Sequence, residues 1–154
     1  MKKNHKGFTL VELLIVIAVI AILAAVAFVA IDPATRFAEA RNSQRWSDVS
    51  SILEGTQQYI VDNAGTYPTG IVAGETRVIG TGASGCTCTA VAPTDGVCVN
   101  LGASLSPKYF DVMPTDPDAG TTTDTDYYMT FTTNNHITIG SCEPELSEVI
   151  NVTR

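Results

Sequence analysis

Residues 6–31 read KGFTLVELLIVIAVIAILAAVAFVAI, and the reading of this stretch decides the fold. One carboxylate, Glu12, stands near its start, and residues 13–31 carry no charge. At ~1.5 Å per residue a helix over that uncharged part spans about 28 Å, close to the hydrocarbon thickness of a bilayer. Lys2, Lys3 and Lys6 come just before it. Basic residues stay on the cytoplasmic side, so residue 32 onward is expected outside. A cleavable secretory signal is the competing reading, with small-residue sites at Ala25-Val26-Ala27 and at residues 27–30. The run exceeds the roughly 7 to 15 apolar residues of such a signal, and Glu12 lies inside it. A carboxylate at a membrane helix centre costs about 2.5 to 3.5 kcal/mol, less near the interface, so Glu12 needs water or a partner.

Asp32-Pro33 follows directly, and a proline within a helix removes one backbone bond and clashes with the preceding turn, so Pro33 is the expected kink. Residues 34–64 return to a helical pattern, with Val49, Ile52, Leu53 and Ile60 in one stripe and Thr56 filling a place in it. Trp46 and Tyr59 fall near the stripe, while Arg45, Asp48, Ser51 and Glu54 fall away from it. Asn63-Ala64-Gly65 reads as the stop. A helix over residues 8–64 is about 85 Å long, more than the rest of the chain can cover, so its first half must face lipid or other copies of itself.

Beyond residue 65 the composition shifts to Gly, Thr, Ser and Ala, with short strand candidates at 77–80 and 97–101. Stronger β runs at 127–132 and 136–139 flank Asn134-Asn135, residues that tolerate the left-handed backbone of a tight hairpin. Residues 147–152 offer a last strand. The expected fold is α+β: a long bent N-terminal helix, half membrane-spanning and half amphipathic, packed on a small antiparallel sheet. The expected organisation is a leader (1–7), a membrane and assembly half of the helix (8–31), an amphipathic half (32–64) and a β head with disulfide-bonded loops (65–154).

The 154 residues include 9 basic and 16 acidic side chains, a net charge of −7, and after residue 47 the only basic ones are Arg77, Lys108 and Arg154. So acidic a head argues against direct nucleic-acid binding, which needs clustered Lys and Arg. Cys86, Cys88, Cys98 and Cys142 all follow the apolar segment, as expected of a region exported to an oxidising compartment. A bridge between Cys86 and Cys88 demands a strained ring. Either of them therefore closes to Cys98 while the other reaches Cys142. Zinc is the competing use, but the spacing lacks the paired knuckles of structural zinc sites. Asp116, Asp118, Asp124 and Asp126 form a weak calcium candidate against the plainer reading of a solvated loop, with no bidentate Glu at EF-hand spacing. His136 in a strand run, no nucleophile elbow and no phosphate loop point to a non-enzyme without cofactors, calcium aside.

The stretch KGFTLVELLIVIAVIAILAAVA resembles the N-terminal signature of type IV prepilins and of the pseudopilins of type II secretion. Gly7, Phe8, Thr9, Leu10 and Glu12 each match, after a short basic leader. The resemblance implies cleavage after Gly7 and N-methylation of Phe8 by a prepilin peptidase. It also implies self-assembly with the help of inner-membrane assembly machinery. Cleavage creates an α-amine that is largely cationic at neutral pH, and the Glu12 of a neighbouring copy can meet it as a register-setting ion pair. The expected function is a structural subunit of a type IV pilus, single-pass in the cytoplasmic membrane with the head outside, then part of a surface filament serving adhesion, twitching motility or DNA uptake. A type II secretion pseudopilin is the alternative. A membrane-anchored extracellular binding module is the alternative of another class. Pseudopilins with a calcium loop usually have an aromatic residue and an Asn after the Asp-Pro pair, from which Asp118-Ala119-Gly120 departs.

Overall fold

The computed structural model describes residues 7–154; the leader lysines Lys2, Lys3 and Lys6 lie outside the described residues. Contacts divide the chain into two compact units, one ending at Phe37 and one running from Ala38 to Arg154.

In the first unit, helix α1 spans Leu10–Ile31, and none of its 22 residues is buried. It is apolar on every side, as a helix is when its surroundings are apolar too. Asp32 ends it with a left-handed backbone, φ 44°. Helix α2, Pro33–Asp62, starts on the next residue. The interruption expected at Pro33 is therefore made by Asp32. Pro33 takes the first position of the new helix, where a missing N–H costs nothing and its fixed φ suits the start. Asp32 also accepts from the Thr35 hydroxyl at 2.6 Å and, through its carbonyl, from the Arg36 amide at 3.3 Å.

The second unit is built on α2. Ala38, Asn42, Arg45, Asp48, Val49, Ile52, Leu53 and Thr56 are buried along one face, three or four residues apart. This corrects the expected stripe at its N-terminal end. Arg45 and Asp48 lie on the packed face rather than off it, because polar partners elsewhere in the head receive them. At the other end Ala64 and Gly65 take positive φ, and the Gly65 amide reaches the Ile60 carbonyl at 2.8 Å, closing the helix.

Strands β1 (Glu75–Val78), β2 (Tyr127–Phe131), β3 (Ile137–Ser141) and β4 (Asn151–Thr153) form one antiparallel sheet in the order β1-β2-β3-β4. Alternation along β2 and β3 turns Tyr127, Met129, Phe131, Ile137 and Ile139 toward Val49, Ile52 and Leu53, and these make the main core. Each such side chain contributes about 1.5 to 3 kcal/mol by leaving water. Asn135, with φ 63°, makes the hairpin between β2 and β3 at the expected place.

The run at 97–101 is not a strand. Val99 alone makes a parallel bridge to Ile79, and the next residues enter the short helix α3, Gly102–Leu105. The Asn100 side chain accepts from the Ala103 amide there and turns the chain away from the sheet. The run at 147–152 pairs late for a similar reason. Leu146 and Ser147 both have φ 57°, so extension begins only near Ile150.

Candidate assembly and processing site

Gly7 is exposed, and a Cβ placed there would meet nothing within 4 Å. Neither local crowding nor a positive φ demands a glycine, so folding does not explain it. Phe8 is 79% exposed and makes no contribution to either core.

Thr9 caps α1 in the reciprocal arrangement called a capping box. Its hydroxyl accepts from the Glu12 amide at 3.2 Å, and the Glu12 carboxylate accepts from the Thr9 amide at 2.9 Å and the Thr9 hydroxyl at 2.7 Å. Glu12 thus has a partner within its own chain. Two orphan donors of the helix start are satisfied, and a negative charge sits where the helix dipole favours it. The Thr-x-x-Glu spacing was the signal for this, visible at residues 9–12. Thr9 therefore holds Glu12 within its own chain, a contact that the expected pairing of Glu12 with a neighbouring amine does not include.

Residues 2–28 match the family model described as the prokaryotic N-terminal methylation motif. The chain carries a prepilin-type signal. This is the signal of type IV pilins and pseudopilins, and it supports that family of filament subunits for this chain. Gly7 falls inside the matched residues. No curated protein and no solved structure matches the chain. The match ends inside α1, which is long and apolar enough to cross a membrane.

In the head, disulfides join Cys86 to Cys98 and Cys88 to Cys142, one of the two arrangements that the spacing had left open. Together with Val78, Tyr128 and Val91 they form a second, smaller core on the sheet face away from α2.

The four aspartates of the calcium candidate do not converge. Asp116 is a buried ion-pair partner: Arg45 Nε donates to its Oδ2 at 2.6 Å and Nη2 to its Oδ1 at 3.0 Å, while the amides of Asp118 and Ala119 also reach Oδ1. Burial pushes the Asp116 carboxyl up, but the Arg45 and backbone hydrogen bonds outweigh it and hold it below the ordinary range. Asp124 is turned inward to accept from the Asp126 amide at 3.1 Å. Among the described residues, the metal-type side chains that come within reach of one another are Cys86, Cys98 and Asp124, and the two sulfurs are already bonded to each other. This donor set does not fit calcium, which wants six to eight oxygens. His136 is exposed beside the hairpin turn.

Arg45 also donates to Glu145 at 2.7 Å, and Arg41 pairs with the same carboxylate. Asn42 exchanges two hydrogen bonds with the Glu145 backbone, and both Asn42 and Trp46 donate to Glu148 at 2.8 Å. One turn of α2 therefore clamps the loop that leads into β4, the same loop that carries the left-handed Leu146 and Ser147. Hydrogen bonds from Arg41 and then Arg45 hold the Glu145 carboxyl down to about 2.

Proposed function

We propose that the protein is the structural subunit of a type IV pilus. It is inserted as a single-pass precursor, cut between Gly7 and Phe8, methylated on Phe8, and polymerised through α1 into a surface filament with the acidic head outward. One observation carries this reading: a capped helix of 22 largely apolar residues, none of them buried, begins inside the matched N-terminal motif. Such a surface needs lipid before assembly and other copies afterwards. The amine created on Phe8 would lie at the start of α1, where the helix dipole disfavours a cation. Glu12 supplies the compensating charge, first held by Thr9 and then shared with a neighbouring copy. The role is structural, with a prepilin peptidase and membrane assembly proteins as partners. Adhesion, motility or DNA uptake would belong to the filament.

Mass measurement of the N-terminus of the mature chain tests processing. Methyl-Phe8 as first residue is expected, and an intact Met1 would favour a permanently anchored binding module instead. Electron microscopy of producing cells tests the filament. Long surface fibres containing this chain are expected, and their absence together with loss of protein export on deletion would favour a pseudopilin. A Glu12→Ala chain is expected to insert normally and to stay out of filaments; normal fibres from it would refute the register role.

A further inference from the structure

Asn151, Val152 and Thr153 make up β4, and they also spell Asn-x-Thr, the acceptor pattern for N-linked sugars. No other asparagine of the chain has Ser or Thr two residues on. Three residues are a short motif, and its weight here comes from where the fold puts it. Asn151 and Thr153 are both exposed and lie on the sheet face away from α2, while Val152 between them packs on the main core.

β4 is also the open side of the sheet. The far side of β1 is met by Thr94 and Val99, whose amides donate to the carbonyls of Thr76 and Val78 at 2.8 and 2.7 Å. Beyond β4 no strand stands among the described residues. An open edge of this kind is a template for unwanted pairing, and proteins guard it with bulky or charged groups.

A groove of about 610 Å³ is lined by Asn151 together with Thr89, Val91, Tyr128, Glu143 and Pro144. Tyr128 and Asn151 both pair with Gly140 of β3, and a Cβ on Gly140 would come within 2.6 Å of the Tyr128 ring. The ring thus lies across the sheet over Gly140, on the face where Asn151 is also exposed.

We propose that Asn151 is N-glycosylated, that the first sugar lies in this groove, and that the glycan guards the open edge of β4. Asn151 Nδ2 attacks the anomeric carbon of a sugar diphosphate donor. A C–N bond forms, the C–O bond to the diphosphate breaks, one amide proton passes to a basic group of the enzyme, and the diphosphate ester leaves with the bonding electron pair. Nδ2 keeps one N–H after the reaction, and the groove that Asn151 and Tyr128 both line receives the first sugar. The enzyme is a separate glycosyltransferase, and its donor carries the diphosphate on either a lipid or a nucleotide. The proposal goes beyond filament assembly and does not require it.

The test uses the full chain purified from the cells that produce it, reduced and digested, with the peptide 109–154 located by mass and fragmentation. Added sugar mass on Asn151 is expected, lost in Asn151→Gln and in Thr153→Ala, and kept in Thr153→Ser. Unmodified wild-type peptide, or an added mass that survives Thr153→Ala or maps to another residue, would overturn the proposal. Sugar found only on chains whose head has crossed the membrane identifies a lipid-linked donor outside. Sugar also found on chains held inside by blocking export identifies a nucleotide donor inside, and both patterns support the modification. The N-terminal residue measured in the same sample reports on filament processing separately.

Discussion

Arg45 is the largest side chain that the head encloses, at 1% exposure, and its cost of burial is offset by Asp116, Asn42 and Glu145. Removing one partner of such a pair leaves an uncompensated buried charge, so Asp116→Ala is expected to destabilise the head by about 3 to 5 kcal/mol, read from the denaturant midpoint. Replacing both partners, Arg45→Met with Asp116→Leu, should recover most of that loss; a double variant as weak as the single one would refute the pairing argument.

Carboxyls in the same region respond to pH with opposite signs. Glu145, held to about 2 against an ordinary 4.5, contributes stability that is present above the ordinary value and fades as pH falls toward 2. Asp126 is pushed up to about 6 by burial and by the neighbouring charges of Asp124, Glu143 and Asp116. Its folded form holds the proton more tightly than the unfolded form, so stability is lost as pH rises from about 4 to about 6. Asp126→Asn is therefore expected to raise the thermal midpoint at pH 7 and to leave it unchanged at pH 3. Asn suits the position because it tolerates the φ of 57° found there. An equal shift at both pH values would count against this account.

At the scale of elements, α2 is fitted to the loop after α3 as closely as to the sheet. Gly55 sits in mid-helix, where Ala would ordinarily gain about 1 kcal/mol of helix propensity. Here the Phe110 ring occupies the space, and a Cβ on Gly55 would come within 2.7 Å of its Cζ. Gly55→Ala is expected to cost about 1 to 3 kcal/mol by overpacking. The same change in a Phe110→Leu background should be stabilising, and denaturant melts of the four chains close the cycle. A stabilising Gly55→Ala in the parent would mean that the ring moves aside freely.

The α1 element follows a different logic. Its residues 10–31 show no face to be packed, so its stability comes from its own backbone bonds and from the Thr9–Glu12 cap, not from a core of its own.

For the molecule as a whole, the long connection from β1 to β2 spans residues 79–126 and is held by two disulfides of unequal reach. Cys86 and Cys98 are 12 residues apart, whereas Cys88 and Cys142 are 54 apart. In the chain-entropy account a loop near 15 residues yields about 3 kcal/mol and one near 100 about 4.7 kcal/mol. Removing the longer bridge as Cys88→Ala with Cys142→Ala is expected to lower stability by about 1 kcal/mol more than removing the shorter one. Equal losses would show that residual structure in the unfolded chain, not loop length, governs the difference. Unfolding without reductant should expose no reactive thiol.

Much of this architecture was legible in the chain itself. The length and uniform apolarity of residues 13–31, the stop at Asn63-Ala64-Gly65 and the Asn134-Asn135 turn are local signals. Each depends on residues within a turn or two of one another, where backbone geometry and solvent exposure leave little choice. The burial of Arg45 and Asp48 was not legible. Periodicity ranks a residue by its apolar neighbours, whereas a charge goes inside only if a partner waits there. The partners of Arg45 are 71 and 100 residues away. The same holds for Asp116 in the run of aspartates at 116–126, where density of carboxylates says nothing of its pairing with Arg45. The sequence by itself determined that one helix must be covered by something other than this chain. Which polar groups the head could bury was decided only by the tertiary structure, because desolvating a charge is affordable solely where folding brings its counter-charge into reach.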